Sequence, residues 1–480
     1  MKAIVLVLLN TICSLISINL VGQEIIWTED KKIITGGSGS NIRPRILALD
    51  QDHGILVWGN EHSQSIHYSF WEKDSLSSIL NINMKQTKAF VTNWASTEIA
   101  GRDQYVYIVY KEDPAETGKI YLLKSIDFGK TFSLPIPVVH PIGFFSRFPG
   151  IAIDKDYQPI VSYMRFKTDW SSPEYVSIRS SDFGNSFDPY TEVTDKSKGE
   201  ACDCCPVSME TDGNRIAVFY RNNRNNIRNM TAAISQNNGL SFDITQELDT
   251  ADWFLQSCPS TGGDGFFNGQ NLHTCWSSGR TGVSKVFYSR LNIDTKKIDA
   301  FQIMNHTQGR NFQQNYPRIS GNQDTVGICW NELVNSMDVF FTYFIGQNSG
   351  DLIKNTIRIN KDINGSQSSP DVGFNQGNFY LCWQDLNDNT IRFKKGSFKK
   401  TTAQDEISTD PSLKILNTNK GILVQSNFET KNWSLINLQG IEIAAGKKFP
   451  TSFIPIENAG IYILSYERNQ QLFSSKFIFD

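Results

Sequence analysis

A proline-led pattern returns along most of this chain, and it restricts the fold to an assembly of one small repeated sheet. Each copy places a proline at the head of a short apolar stretch. A polar turn and then an apolar strand ending in Trp or Tyr follow. The first copy runs Arg43-Pro44-Arg45-Ile46 and then Gly54-Ile55-Leu56-Val57-Trp58. Others open at Pro149, Pro206, Pro259, Pro317 and Pro370, and run into strands ending at Tyr163, Tyr220, Trp276, Trp330 and Trp383. The steps between these prolines are 105, 57, 53, 58 and 53 residues. The first step is a double one. Gln104–Tyr110 supplies the aromatic-ended strand of the unit it spans, with the proline replaced near Asn93-Trp94. That gives seven units of about 54 residues, close to the roughly 40–50 residues of a four-stranded propeller blade. Such a sheet alone leaves both faces wet, and radial stacking buries them. The expected fold is therefore all-β, a propeller of seven blades with six as the alternative partition. The stretch around Glu24 to Ile34 is expected to pair with the last blade, which removes its open edge.

A second motif keeps the same period. Ser125, Asp127, Gly129, Thr131 and Phe132 recur as Ser180, Asp182, Gly184, Ser186 and Phe187. They recur again, weakened, as Ser235, Asn237, Gly239, Ser241 and Phe242. The physical reading is a hairpin turn. Asp or Asn caps turn amides, Gly takes a backbone conformation that other residues resist, and Phe plugs the space between sheets. These repeats resemble the Asp-boxes of sialidase-like (BNR-repeat) propellers, over roughly residues 25–400. The resemblance implies a propeller with each box between the third and fourth strands of a blade, away from the active-site face. The boxes thus mark architecture rather than catalysis.

The two ends read differently. Residues 1–22 begin Met1-Lys2, continue apolar and end on small residues, the pattern of a secretory signal peptide. Residues 23–400 are assigned to the propeller and 401–410 to a polar linker. Residues 411–480 are assigned to a small β-sandwich of alternating apolar strands. The stretches LINLQG (435–440), GIYIL (460–464) and SKFIF (475–479) resemble the type A C-terminal sorting domain of the Bacteroidota type IX secretion system. That resemblance implies export through the periplasm to the cell surface or the medium, with the secretion machinery as a partner. No other segment has the length and apolarity of a membrane span. A net charge of −3 with 20% charged residues gives no footprint for nucleic acid.

Chemistry in a propeller gathers around its axis. Arg43, Arg45, Arg147, Arg224, Arg280 and Arg318 lie at or near blade starts, where a ring of guanidinia can clamp a carboxylate. Cys205 and Cys258 precede equivalent prolines of neighbouring blades, which makes a disulfide between them geometrically reasonable. A thiolate metal site from Cys202, Cys204, Cys205 and Cys258 is the alternative. Cys275, Cys329 and Cys382 each precede a strand-ending Trp and read as core. A sialidase also needs a Tyr activated by Glu, and an Asp acid. Spacing singles out none among Tyr220, Tyr288, Tyr343, Glu98, Asp103, Glu210 and Glu332, and the family's Arg-Ile-Pro signature is absent. No catalytic set and no cofactor are assigned. The leading expectation is an exported propeller that binds a glycan or surface-protein ligand. The alternatives are an exo-acting sialidase-type hydrolase releasing terminal acidic sugars, and a metal-dependent surface enzyme built on the cysteines.

Overall fold

The computed structural model describes residues 24–33, 40–138, 142–304, 312–346, 349, 351–399, 413–418, 420–430, 432–437, 441–458, 460–468 and 471–479. The expected signal peptide (1–22) and the expected linker (401–410) lie outside the described residues. The chain divides into two compact units, Met1–Phe398 and Lys399–Asp480.

In the first unit the β-branched and aromatic runs form seven successive antiparallel sheets. Their first strands are Asn41–Ala48, Glu98–Arg102, Phe144–Ile153, Ser208–Thr211, Gly263–Asn268, Gln314–Asn322 and Gln367–Asn375. Each pairs with the next strand in sequence, so each blade is a meander. Blade 7 is completed from the other end of the unit. Ile25–Trp27 and Lys31–Ile33 both pair with Thr390–Phe398, with Ile25 opposite Phe398 and Ile33 opposite Ile391. The expected closure by the N-terminal strand is thus present, and seven is the blade number. One helical turn, Asp351–Lys354, interrupts the β-structure of the described residues.

The cores lie between blades rather than inside them. One buried cluster joins blade 1 to blade 2 through Ile55, Val57, Val106 and Ile108. Another joins blade 7 back to blade 1 through Tyr380, Cys382, Leu56 and Trp58, which closes the ring. Trp58, Trp276, Trp330 and Trp383 are among the largest fully buried side chains. Three of these indoles donate to buried acceptors: Asn41 (3.2 Å), Asp249 (3.0 Å) and Glu332 (3.1 Å). A buried indole N–H without such a partner carries a desolvation penalty. Cys275, Cys329 and Cys382 are fully buried beside these tryptophans.

The recurring prolines have a structural cause. Pro lacks the N–H that a sheet ladder needs and is tolerated at bulges. Pairing of the first strand slips at Ile42/Arg45, Arg147/Gly150, Asn315/Arg318 and Ser368/Asp371, each time across a proline. The residue before each proline takes the left-handed conformation: Arg43 (φ 51°), Phe148 (50°), Tyr316 (51°) and Ser369 (48°). Blade 2 has neither the proline nor the slip. Its Asn93-Trp94 lies in a turn closed by Thr92 and Ala95, ahead of the strand.

The three Asp-box turns sit between third and fourth strands. In the second box the Gly184 N–H donates to Ser180 Oγ (2.7 Å), and the Ser186 N–H and hydroxyl donate to the Asp182 carboxylate (2.8 and 2.6 Å). Those bonds hold the Asp182 carboxyl down at about 2. Gly184 has φ +77°, which an L side chain rarely adopts. Ser125, Asp127, Gly129 and Thr131 repeat the pattern, as do Ser235, Asn237, Gly239 and Ser241. Phe132 and Phe187 pack against inter-blade cores, and Phe242 is buried in one.

The second unit contains two sheets. Leu413–Thr418, Gly421–Ser426 and Ile454–Pro455 form one; Glu442–Gly446, Trp433–Asn437, Gly460–Arg468 and Gln471–Phe479 form the other. They share one core including Leu413, Ile422, Trp433, Leu435, Leu464 and Phe477. This is the expected small sandwich.

Candidate axial binding site

The first strand of every blade contributes to a cavity of about 310 Å³ on the ring axis. That size falls within the range of about 300–1,000 Å³ common for small-ligand sites. Its ionisable lining comes from Arg45, Arg102, Glu210, Asp264, Arg318 and Asp371. The slipped register turns the residue after the proline toward the axis, and Arg45, Arg318 and Asp371 all occupy that position.

These charges form one network. Arg45 donates to both oxygens of Glu98, at 2.8 Å from Nε and 2.7 Å from Nη2. Arg318 Nε lies 2.9 Å from Asp371 and 3.5 Å from Asp264, while its Nη2 lies 3.7 Å from Glu98. Asp371 also accepts the Ile46 N–H (2.9 Å), and Asp264 accepts the Ile319 N–H (3.0 Å). Each of these two carboxylates therefore ties its own blade to the next. Burial opposes ionisation of Glu98, yet the Arg45 and Arg318 guanidinia hold its carboxyl below the usual range. Asp264 is pushed up by burial in spite of Arg318. Among the described residues no ion pair joins Glu210 to an arginine, although Arg102 and Arg318 act on it from a distance. Burial, with the charge of Asp264, pushes it up to about 8. It is therefore largely a protonated carboxyl at neutral pH, able to donate a hydrogen bond.

The axis is wider at one end. Around the proline-bearing starts, Arg43, Arg45, Glu98, Tyr316 and Arg318 leave a space of only about 30 Å³. The larger cavity lies along the later halves of the inner strands. That half is nearer the Asp-box turns, because the first box bonds back to the turn after the first strand through Phe128 N–H and the Gln104 carbonyl (3.0 Å). A site facing away from the boxes, as the family resemblance implies, does not correspond to the larger cavity.

The six candidate arginines do not form one clamp. Arg43, Arg45 and Arg318 converge; Arg147, Arg224 and Arg280 do not line the cavity. Arg43 is buried, with its guanidinium 5.6 Å from the Tyr316 ring centre. Arg147 stacks on Trp170 at 4.4 Å. Arg224 faces Asp252 (3.6 Å), and Arg280 lies over Phe287 (4.4 Å) beside Asp249 (3.7 Å). The convergent guanidinia Arg45 and Arg318 are already neutralised by carboxylates, which corrects the expectation of a free carboxylate-binding ring.

Of the other candidates, Glu332 accepts from Gln314 and Trp330, Asp103 from Tyr157, and Tyr288 bonds His273. Tyr220 pairs with Ser197, and Tyr343 is buried between blades 6 and 7. These are structural roles. Asp264, Asp371 and Tyr316 escape a reading by residue type. For Asp371 a signal existed, since it follows Pro370 as Arg45 follows Pro44.

The proposed Cys205–Cys258 disulfide is also corrected: both are free thiols. The tight turn at 202–205 faces Cys205 into the blade, buried against Cys202, whereas Cys258 is exposed and lies near Cys204 and Asp203.

Fold and site together define a seven-bladed propeller with a polar, charge-compensated axial cavity. No family model and no curated protein matches the sequence. Among solved structures it is similar to a Hadza microbial sialidase, Hz136, at 12% identity and TM-score 0.42, with 61% of this chain and 63% of that one covered. This chain thus spans less than two thirds of that sialidase. It is also similar to a PL25 ulvan lyase, at 8% identity and TM-score 0.48, covering 75% and 95%. A third is the α-L-arabinofuranosidase Arb93A of Fusarium graminearum, at 11% and 0.41, covering 63% and 92%. Likenesses this distant carry nothing about activity.

Glu210 makes the site measurable by pH. Its pKa rises from an ordinary 4.5 to about 8 on folding, so the folded chain holds the extra proton. The associated stability is fully present below about pH 4.5 and is lost as pH rises through 8. The side chain is only partly shielded, so from pH 6 to 9 the loss is expected to be on the order of 1–2 kcal/mol. Urea melts of Glu210→Gln at pH 6 and pH 9 should show this slope removed.

Proposed function

We propose that this protein is an exported propeller that binds carbohydrate in its axial cavity. The observation that carries the reading is the lining itself. Carboxylates accept hydrogen bonds at both oxygens, guanidinia donate in fixed planes, and protonated Glu210 donates one more, which suits the mixed donors and acceptors of sugar hydroxyls. Because Arg45 and Arg318 are already paired, the reading favours hydroxyl-rich over strongly acidic sugars. A glycan array probed with the full chain, followed by calorimetry, tests it. Binding should weaken at least tenfold in Glu210→Ala, which removes the donor, and persist in Arg147→Ala. A folded chain with no glycan ligand, or one indifferent to Glu210, rejects the reading.

One observation favours a second reading, hydrolysis at the same cavity. Glu210 is a protonated carboxyl influenced by the charge of Asp264, the kind of unequal pair that glycoside hydrolysis uses. Turnover of fluorogenic glycosides, sialosides included, should then vanish in Glu210→Gln.

Export to the cell surface or medium is part of the proposal. It is supported by the sequence of residues 1–22 and by the strand motifs within 411–480. Deleting 411–480 should leave the propeller in the periplasm; its undiminished release rejects a sorting role.

A further inference from the structure

A side-chain cluster ahead of the inner strand of blade 4 lies apart from the axial cavity. Residues Cys202 to Cys205 form a turn pinned on three sides. The Cys202 N–H donates to the Arg221 carbonyl (2.8 Å), and the Cys205 N–H donates to the Cys202 carbonyl (3.3 Å). The Tyr175 hydroxyl donates to the Cys205 carbonyl (2.7 Å). The turn gathers three sulfurs around one point. Cys202 Sγ lies 3.4 Å from Cys205 Sγ and 3.5 Å from Cys204 Sγ, and the last pair is 3.9 Å apart.

Thiolates at about 2.3 Å from a tetrahedral ion sit about 3.8 Å from one another. The three observed separations average close to that value. A single point just off the plane of the sulfurs is therefore at bonding distance from all three. Cys202 and Cys205 are buried, while Cys204 is partly exposed and leaves one side open. On that side Cys258 and Asp203 each bring a ligand atom within 4.8 Å of Cys204 Sγ.

The inner side carries a positive charge. Arg228 Nη1 donates to Cys202 Sγ at 2.9 Å in a buried contact, and its Nε is held by the Leu255 carbonyl at 3.2 Å. Behind it the fully buried Arg221 donates to the carbonyls of Arg228 and Ser277, both at 2.8 Å. A buried guanidinium directed at sulfur calls for a charged acceptor.

We propose that Cys202, Cys204 and Cys205 together bind one thiophilic closed-shell ion, Zn(II) or Cu(I), with Arg228 donating to the Cys202 sulfur. Binding replaces three S–H protons, which are released to solvent. Three thiolates, a divalent ion and one guanidinium sum to zero charge, so the balance favours Zn(II). The contact from Arg228 orients its ligand, as partners of metal-bound groups commonly do.

The test uses the full chain, purified under reducing conditions and stripped of metal. Zinc uptake should reach one equivalent, measured by elemental analysis. Cuprous ion is titrated separately against a colorimetric chelator, and the two affinities identify the ion. Cobalt(II) loading should give an intense sulfur-to-metal band in the near ultraviolet. Cys204→Ser should lower affinity at least tenfold, and Arg228→Met by about 10–100-fold. A reduced chain that takes up neither ion overturns the proposal, as does full affinity in Cys204→Ser. Should that variant fail to fold, the cobalt spectrum of the unaltered chain decides, and absence of the sulfur band overturns it.

Discussion

Deletion of residues 24–34 is expected to abolish the soluble folded form of the propeller. These residues supply the outer edge of blade 7, paired with Thr390–Phe398. Ile25 and Ile33 are buried, and Trp27 meets Phe341 of blade 6 edge-on at 5.2 Å. At about 1.5–3 kcal/mol for each large apolar side chain, their loss removes about 5–9 kcal/mol. That is comparable with the whole stability of a typical domain, about 5–15 kcal/mol. The uncovered strand 390–398 would also offer an unpaired edge to other chains. Size-exclusion chromatography and near-ultraviolet circular dichroism should show aggregate and loss of fixed packing. Ile25→Asp should reproduce much of the effect and Ile26→Asp little, since Ile26 is 57% exposed. Equal behaviour of the two variants would mean that the strand contributes no oriented packing.

The second large effect belongs to the axis. Arg318 faces Asp371, Asp264 and Glu98 at once. Arg318→Ala leaves three buried or partly buried carboxylates short of their cation, and breaking such a buried network typically costs about 3–5 kcal/mol. The pH dependence distinguishes this from lost packing. Without the guanidinium the folded-state pKa values of Glu98 and Asp264 rise, so the folded variant binds more protons than the folded parent chain. The deficit is then largest at neutral and alkaline pH and shrinks as pH falls toward 5. Denaturant melts between pH 5 and 8 measure it. A deficit independent of pH would assign Arg318 a packing role. Arg318→Lys should recover only part, because one ammonium cannot span three carboxylates as a planar guanidinium does.

Architecture was legible in the sequence because it repeats. A proline that must sit at a bulge, a Trp whose indole needs a buried acceptor, and a Gly at positive φ in a turn are each local demands. Reuse from blade to blade, six times for the proline and three for the box turn, multiplied a weak signal. The site was legible only by half. Arg45 and Arg318 could be named because they follow prolines. Their partners could not be assigned, because ring closure brings Glu98 to Arg318 across 220 residues, and Asp371 to the Ile46 amide across 325. No local pattern encodes such a pairing. The cysteines show the same limit: a shared place before two prolines suggested a bridge, but the turn at 202–205 gathers Cys202, Cys204 and Cys205 with one another instead.

The bulge at the head of the inner strand gives this fold a division of labour. The apolar cores that hold neighbouring blades together sit on the faces of the sheets, while in blades 1, 6 and 7 the position after the proline faces the axis and meets polar partners from other blades. Arg, Arg and Asp stand there in blades 1, 6 and 7. Such positions behave like the letters of a combination lock that turn only in matched sets, because Arg318 answers to Asp371, Asp264 and Glu98 at once. Related rings can therefore diverge in what they hold at the centre while their apolar cores stay the same, and a designer could reset the axial chemistry by exchanging paired charges of different blades together.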